Sequence, residues 1–264
     1  MTTRLLPVLL ALAALPGLAA ANARLFTYSY ESAVLPAGGH EFEVSTTWRV
    51  GRTDVYSRLD QRAEFEYGIT DRLLTALYLN WRKVSAYDPA LDAMVSESEF
   101  SGVSSEWKFK VLDRTADPVG LAGYVELSGD TDEAEVEAKL ILDKTLGPVT
   151  LAYNAVTAGE WGWEPHAFAN REREIEHVAG LTFAPGAAYA VGGEVRAHTA
   201  YAGDDENLGA VFAGPVFHLA HGEFWLTASC LFQVKGLSTD PEGETYELLD
   251  HERVNVRVLL SLPL

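Results

Sequence analysis

The sequence predicts an all-β protein: a transmembrane, antiparallel, up-and-down β-barrel of about twelve strands, with short periplasmic turns and longer outer loops. Three observations carry this. Alternation of apolar and charged residues with period two runs through almost the whole chain, and helical periodicity is nearly absent. Tight, turn-rich connections alternate with others that are mostly longer or more polar. Aromatic residues recur at both ends of the apolar faces.

Residues 1–23 read as a secretory signal peptide. Arg4 supplies a positive start, Leu5 to Leu18 an apolar run, and Ala21-Asn22-Ala23 a small-x-small cleavage site, so that the mature chain would begin at Arg24. Residues 24–40, "RLFTYSYESAVLPAGGH", alternate at Phe26, Tyr28 and Tyr30 and then turn at "LPAGG". They are expected to form a periplasmic N-terminal lead-in rather than a further strand, because single-chain bacterial barrels have even strand counts. Residues 41–264 form the barrel proper. The alternation places its strands at 41–50, 56–68, 72–83, 99–111, 119–129, 133–144, 148–158, 171–183, 188–199, 207–218, 223–234 and 250–262.

The two faces are plain within single strands. Leu59, Gln61, Ala63, Phe65 and Tyr67 alternate with Arg58, Asp60, Arg62, Glu64 and Glu66. Val136, Ala138, Leu140 and Leu142 alternate with Glu135, Glu137, Lys139 and Ile141. The "GITDR" between the strands of "FEYGITDRLLTALYLNW" is a tight periplasmic turn, and Asp71 and Arg72 keep it in water. The outer connections are expected at "VSAYDPALDAMVSES", "AGEWGWEPHAFAN", "AYAGDDEN" and "KGLSTDPEGETYEL", with two short members near 51–55 and 129–132.

Threading the strands alternately up and down brings Trp48 and Trp81 to the outer rim. It brings Phe65, Tyr67, Trp107, Phe109 and Phe183 to the periplasmic rim, which gives the two aromatic girdles of a membrane barrel. The competing all-β reading, a soluble sandwich, has no reason to sort its loops or its aromatics this way.

The net charge is −18, from 20 Lys and Arg against 38 Asp and Glu. A chain this acidic repels nucleic acid, so no nucleic-acid partner is expected. Cys230 is the only cysteine, which excludes an intramolecular disulfide and any metal site built from several cysteines. Beyond residue 23 no apolar run is long enough for a membrane helix.

The acidic excess finds its place inside the barrel. The lumen-lining charged residues are expected to be Arg58, Asp60, Arg62, Glu64 and Glu66; Glu135, Glu137 and Lys139; Glu172, Glu174 and Glu176; Glu194, Arg196 and His198; and Arg253 and Arg257. Two readings compete. One is a charged pore that passes ions or small polar solutes. The other is an ion-pair network that fills a closed barrel with a structural or surface-interaction role. About twelve strands leave a narrow path rather than a wide one, and passage is the leading reading.

Strand 171–183 strains this model, because His177 falls on its lipid-facing side. Arg171 and Arg173 on that side could meet lipopolysaccharide phosphates at the outer rim. An embedded hydrolase is the rival class. The seven histidines (His40, His166, His177, His198, His218, His221 and His251) stand in no recognisable motif with a serine. HExxH, a P-loop and GxSxG are all missing, so no catalytic residue is assigned. In "EWGWEPHAF", Trp161, Trp163 and Phe168 read as rim anchors. Glu160, Glu164 and His166 lack diagnostic metal spacing, and no metal or cofactor is expected.

"LPAGGHEFE", "FEYGITDRL", "SSEWKFKVLD", "DPVGLAGYVEL" and "EAEVEAKLILDK" together resemble an uncharacterised family of bacterial outer-membrane β-barrel proteins, described as porin-like or as transporters. The resemblance runs over most of the mature chain and implies the barrel fold and the outer membrane of a Gram-negative-type bacterium; it carries no catalytic residues. The expected partners are the lipid bilayer, lipopolysaccharide and the barrel-assembly machinery, with the protein a monomer. The C-terminus departs from the usual barrel pattern: it ends in "SLPL" rather than on an aromatic, although Leu264 keeps the alternation.

Overall fold

The computed structural model describes residues 23–164, 167–202, 206–237 and 245–262, so the expected signal peptide lies almost wholly outside the described residues. The strands in chain order are β1 (His40–Val50), β2 (Tyr56–Thr70), β3 (Leu73–Asp88), β4 (Ala93–Leu112), β5 (Gly120–Gly129) and β6 (Glu133–Leu146). They continue with β7 (Val149–Glu164), β8 (Ala167–Phe183), β9 (Tyr189–Ala202), β10 (Glu206–His221), β11 (Phe224–Gly236) and β12 (Val254–Leu262). Each pairs with its sequence neighbours, and β1 closes onto β12, giving one closed barrel of 12 strands. Every pairing is antiparallel. Phe42 stands opposite both Phe65 and Leu262, so no strand edge is left open. A bilayer has no hydrogen-bonding partner for an open edge, and closure satisfies the whole ladder.

Both barrel ends of the chain, His40 and Leu262, lie at one end, called proximal here, with the 71–72, 147–148 and 222–223 turns. The side-chain period of two then sorts the sequence radially. Leu77, Leu79, Leu127, Leu140, Leu151 and Leu181 are exposed on the outside. Their neighbours Ala76, Tyr78, Glu126, Ile141, Ala152 and Thr182 are buried inside.

Two expectations are corrected. The long outer loops are mostly strand: of "VSAYDPALDAMVSES" only 89–92 is a turn, and β7 and β8 run through most of "AGEWGWEPHAFAN". β9 and β10 likewise consume most of "AYAGDDEN". The ladder is made by backbone groups, so polar segments pair as well as apolar ones once they leave the lipid. Ser85 and Ser96 face each other with their hydroxyls 2.5 Å apart. Asp88 accepts from the Ala90 and Leu91 amides (2.8 and 3.3 Å), and Asp92 takes a positive φ of 48° to close the turn. β4 has 20 residues, roughly 65 Å of strand against an apolar band of about 25 Å, so its distal part projects beyond the lipid. The connection between β11 and β12 spans residues 237–253, of which 237 and 245–253 are described.

The second correction concerns residues 24–40. The segment does enter β1 from the proximal end, but it lies inside the barrel. Phe26, Thr27 and Ser29 are wholly buried, and Tyr28, Tyr30, Glu31, Ser32, Val34 and Leu35 are nearly so. The turn at 36–39 bonds to β2: Gly38 N donates to Gly68 O and Gly68 N to Gly39 O, both at 2.8 Å. A Cβ on Gly68 would stand 2.1 Å from Pro36 O, so only glycine allows this approach.

Candidate functional site

The lumen is organised around the inserted segment. Its backbone amides have no strand partner, and buried donors must be satisfied. Glu194 of β9 does most of this: one carboxylate oxygen accepts from Tyr28 N (3.0 Å) and Ser29 N (2.8 Å). Its other oxygen accepts from Thr27 N (3.0 Å) and Thr27 Oγ1 (2.8 Å). Asn154 of β7 accepts from Tyr30 N (2.6 Å) and donates to Tyr30 O (3.0 Å), as a strand partner would. Ser32 donates to Asp143 (2.6 Å), and Arg114 joins Glu31 and Asp143 at 3.2 and 3.5 Å. A Cβ on Gly180 would stand 2.4 Å from the Phe26 ring, so the bare backbone of β8 forms the seat for that ring.

The aromatics of the segment face the cations of the wall. The Tyr30 ring lies 4.1 Å from both the Arg24 guanidinium and the Lys139 ammonium, and Tyr28 lies 4.9 Å from Arg257 and 5.3 Å from Arg196. Tyr28 packs with Val178, Phe212 and Leu231, and Tyr30 with Tyr124 and Ile141. The proximal half of the lumen is therefore a mixed core rather than a purely charged space. A dense acidic group stands beside it, where Glu43, Glu64 and Glu66 offer oxygens within 4.8 Å of one another, with Arg24 3.6 Å from Glu43.

Distally the lumen opens into a vestibule of about 260 Å³ between β1–β3 on one side and β5–β6 on the other. Arg62 crosses beneath it to Glu126, lies 4.1 Å from the Tyr78 ring and donates to Asn80 at 2.9 Å. Above it, Arg49, Arg58 and Arg82 converge on Asp60 at 3.4, 2.8 and 3.6 Å. On the far wall Lys139 pairs with Glu137 at 2.8 Å.

A relay from the half-exposed Glu174 through two buried histidines joins the wall to the 237–253 connection. Glu174 lies 3.1 Å from His198 Nε2, His198 Nδ1 lies 2.8 Å from His251 Nε2, and His251 Nδ1 bonds Glu247. Burial pushes the Glu247 carboxyl up, but hydrogen bonds from His251 and from the Asp250 and Leu249 amides outweigh it and hold it below its ordinary value. Arg253 does not stand on β12 as expected. It precedes the strand, its guanidinium lies 3.3 Å from the Tyr246 ring, and it donates to Gln233 O (3.1 Å), so it braces this connection.

The model for a family of unknown function, DUF6662, matches residues 18–262. The chain belongs to that family.

This DUF6662 barrel is similar to an outer membrane channel of Pseudomonas putida F1, the COG4313 channel, with a TM-score of 0.66 and 12% identity over 87% of this chain and 97% of that one. It is also similar to the NanC porin (TM-score 0.55, 8% identity, 84% of this chain and 100% of that one). A third similar structure is the β domain of the Bordetella autotransporter BrkA (TM-score 0.51, 11% identity, 86% and 100%). Likeness at these identities concerns the fold, which is that of outer-membrane barrels. No curated protein matches the sequence.

The structure places the sequence-derived residues of the DUF6662 chain as follows. Glu64, Glu66, Glu194 and His198 are buried inside; Arg58, Asp60, Arg62, Glu135, Glu137, Lys139, Glu172, Glu174, Glu176, Arg196 and Arg257 are half-buried on the same inward faces. Arg196 bonds Glu176 at 2.5 Å. Trp48, Phe65, Tyr67, Trp81, Trp107, Phe109 and Phe183 are all exposed on the outside. His177 also points outward, and its Nδ1 meets the Tyr153 hydroxyl at 2.9 Å with the rings stacked, so the imidazole has a polar partner on the outer face. His166 lies outside the described residues, as does any account of the side chains of Arg171, Glu164 and Phe168. Sequence reasoning missed Arg24, Glu31, Glu41, Glu43, Arg49, Arg82, Glu106, Lys108, Glu126, Asp143 and Asn154. Glu41 and Glu43 alternate with Phe42 and Val44, and Glu106 and Lys108 with Trp107 and Phe109, so the same period-two signal could have found those four.

Proposed function

We propose that this barrel gives small polar solutes passive passage across the outer membrane, through a charged lumen narrowed by residues 24–35 of its own chain. One observation carries the reading: the distal vestibule is open and lined by charge down to its Arg62–Glu126 floor, and the rest of the lumen is occupied by a segment held by hydrogen bonds and ion pairs rather than by a strand ladder. Such a segment can shift without opening the barrel wall. In this reading Trp48 and Trp81 anchor the distal rim, Phe65, Tyr67, Trp107, Phe109 and Phe183 the proximal rim, and the proximal end with its short turns is periplasmic. The partners are the bilayer, lipopolysaccharide at the distal rim, and the assembly machinery; the barrel acts as a monomer, without nucleic acid, cofactor or catalytic step. The signal peptide over residues 1–23 takes it there.

The second reading is a closed structural barrel, and the inward-facing pairs Arg62–Glu126 and Arg196–Glu176 favour it. Single-channel recording in planar bilayers separates the two. Purified protein is expected to conduct in small steps, and deletion of residues 24–35 is expected to enlarge them. Silence from both proteins, with the barrel folded, refutes passage and leaves the structural reading.

A further inference from the structure

The distal vestibule carries opposite charge on its two walls, and the excess on each is unspent. On the β1–β3 wall three guanidiniums share the single carboxylate of Asp60. The Nε–H groups of Arg49 and Arg82 approach Asp60 without making a hydrogen bond to it, and Arg82 also lies 3.8 Å from the exposed Glu99, so among the described residues these three cations meet two carboxylates. A guanidinium offers its donors in a planar fork that matches a carboxylate, and three guanidiniums around one carboxylate leave positive charge that favours a further anion. Facing them on β6, Glu135 has no hydrogen bond or ion pair among the described residues, and it stands beside Glu137, whose own partner is Lys139. The Arg62–Glu126 bridge fixes the floor between the walls, bonded on through Asn80 and Ser104.

We propose that this vestibule is a binding site for small zwitterions bearing a carboxylate and an ammonium. The carboxylate is held by the excess positive charge of the Arg49, Arg58 and Arg82 cluster, and the ammonium by Glu135. A simple anion satisfies the arginines but meets the acidic wall, and a simple cation meets the reverse; only a solute with both charges gains at both walls. The volume of about 260 Å³ lies below the roughly 300–1,000 Å³ of drug-sized pockets, which limits the class to amino-acid-sized molecules. The site rests on the reading that the lumen admits small solutes from its distal mouth, but binding does not require that they pass through.

The test is calorimetric titration of the whole detergent-purified barrel with three probes of one chain length: γ-aminobutyrate, butyrate and butylammonium. γ-Aminobutyrate is expected to bind about tenfold more tightly than either single-charge probe. Glu135→Gln breaks no hydrogen bond and is expected to reduce γ-aminobutyrate to the affinity of butyrate, and Arg82→Gln to that of butylammonium. Retained heat-modifiable migration on gels shows that each variant is folded. Equal affinity for γ-aminobutyrate and butyrate, no binding of any probe, or an unchanged Glu135→Gln protein each overturns the proposal. Bilayer recording of the same preparation keeps the two readings apart. Binding without conductance removes passage and keeps the site; conductance without binding does the opposite.

Discussion

At the scale of single residues, the lumen works by satisfying groups that the strand ladder cannot reach. Glu194 accepts four hydrogen bonds from three successive residues of the inserted segment. Hydrogen bonds to a charged partner contribute about 1.5–3 kcal/mol each, so Glu194→Gln should weaken the anchoring by about 2 kcal/mol. Hydrogen exchange reads this directly: the Thr27, Tyr28 and Ser29 amides should lose protection while β9 keeps its own, and unchanged protection would remove Glu194 as the anchor. Asp113, in the turn after β4, is a simpler case. Its carboxylate accepts from the Thr115 hydroxyl (2.5 Å) and from the Thr115 and Ala116 amides (2.9 and 3.2 Å), which hold its pKa at about 2. The folded value lies below the unfolded one of about 3.9, so the group stabilises the turn above pH ~4 and loses that contribution as pH falls towards ~2. A carboxyl NMR titration of Asp113 with a midpoint near 4 would contradict this.

At the scale of elements, two segments of similar alternation take opposite fates. The Phe26–Tyr28–Tyr30 pattern resembles that of a strand, yet the ring closes without it. The segment then buries its rings against Val178, Phe212, Leu231 and Ile141 inside. Gly180→Val tests this seat. The added side chain collides with the Phe26 ring, and overpacking costs about 1–3 kcal/mol, so residues 24–30 should become cleavable by protease while the barrel stays intact. Protection equal to that of the parent protein would count against the seat. β6 tests the other face. Leu140 is half-exposed in mid-strand, and in lipid an arginine there should cost about 2–4 kcal/mol. Urea unfolding of Leu140→Arg in liposomes measures the loss; a change near zero means that this face does not meet hydrocarbon.

At the scale of the molecule, closure fixes everything else. With β1 paired to β12, the wall needs no lumenal contact to hold its strands, and the interior is free to be charged, filled or open. The native barrel should therefore resist unfolding in cold detergent and migrate faster on gels when unheated, and it should do so equally with residues 24–35 deleted. Loss of that behaviour on deletion would make the segment part of the fold rather than an occupant of it.

The alternation of residues such as Leu59–Tyr67 against Arg58–Glu66 determined the fold class, the strand count and the radial sorting, because a period of two leaves one side chain per face whatever the partners are. It determined the outward rings of Trp48, Trp81 and Trp107 for the same reason. It did not determine how far the strands run: "VSAYDPALDAMVSES" is polar by composition, but backbone pairing is indifferent to that once the lipid ends. Nor could it show that Glu194 meets Thr27, 167 residues away, or that Arg49, Arg58 and Arg82 share Asp60. Those meetings depend on the register and the curvature of a closed ring. They appear only when the first strand finds the last, and local sequence carries no record of that distance.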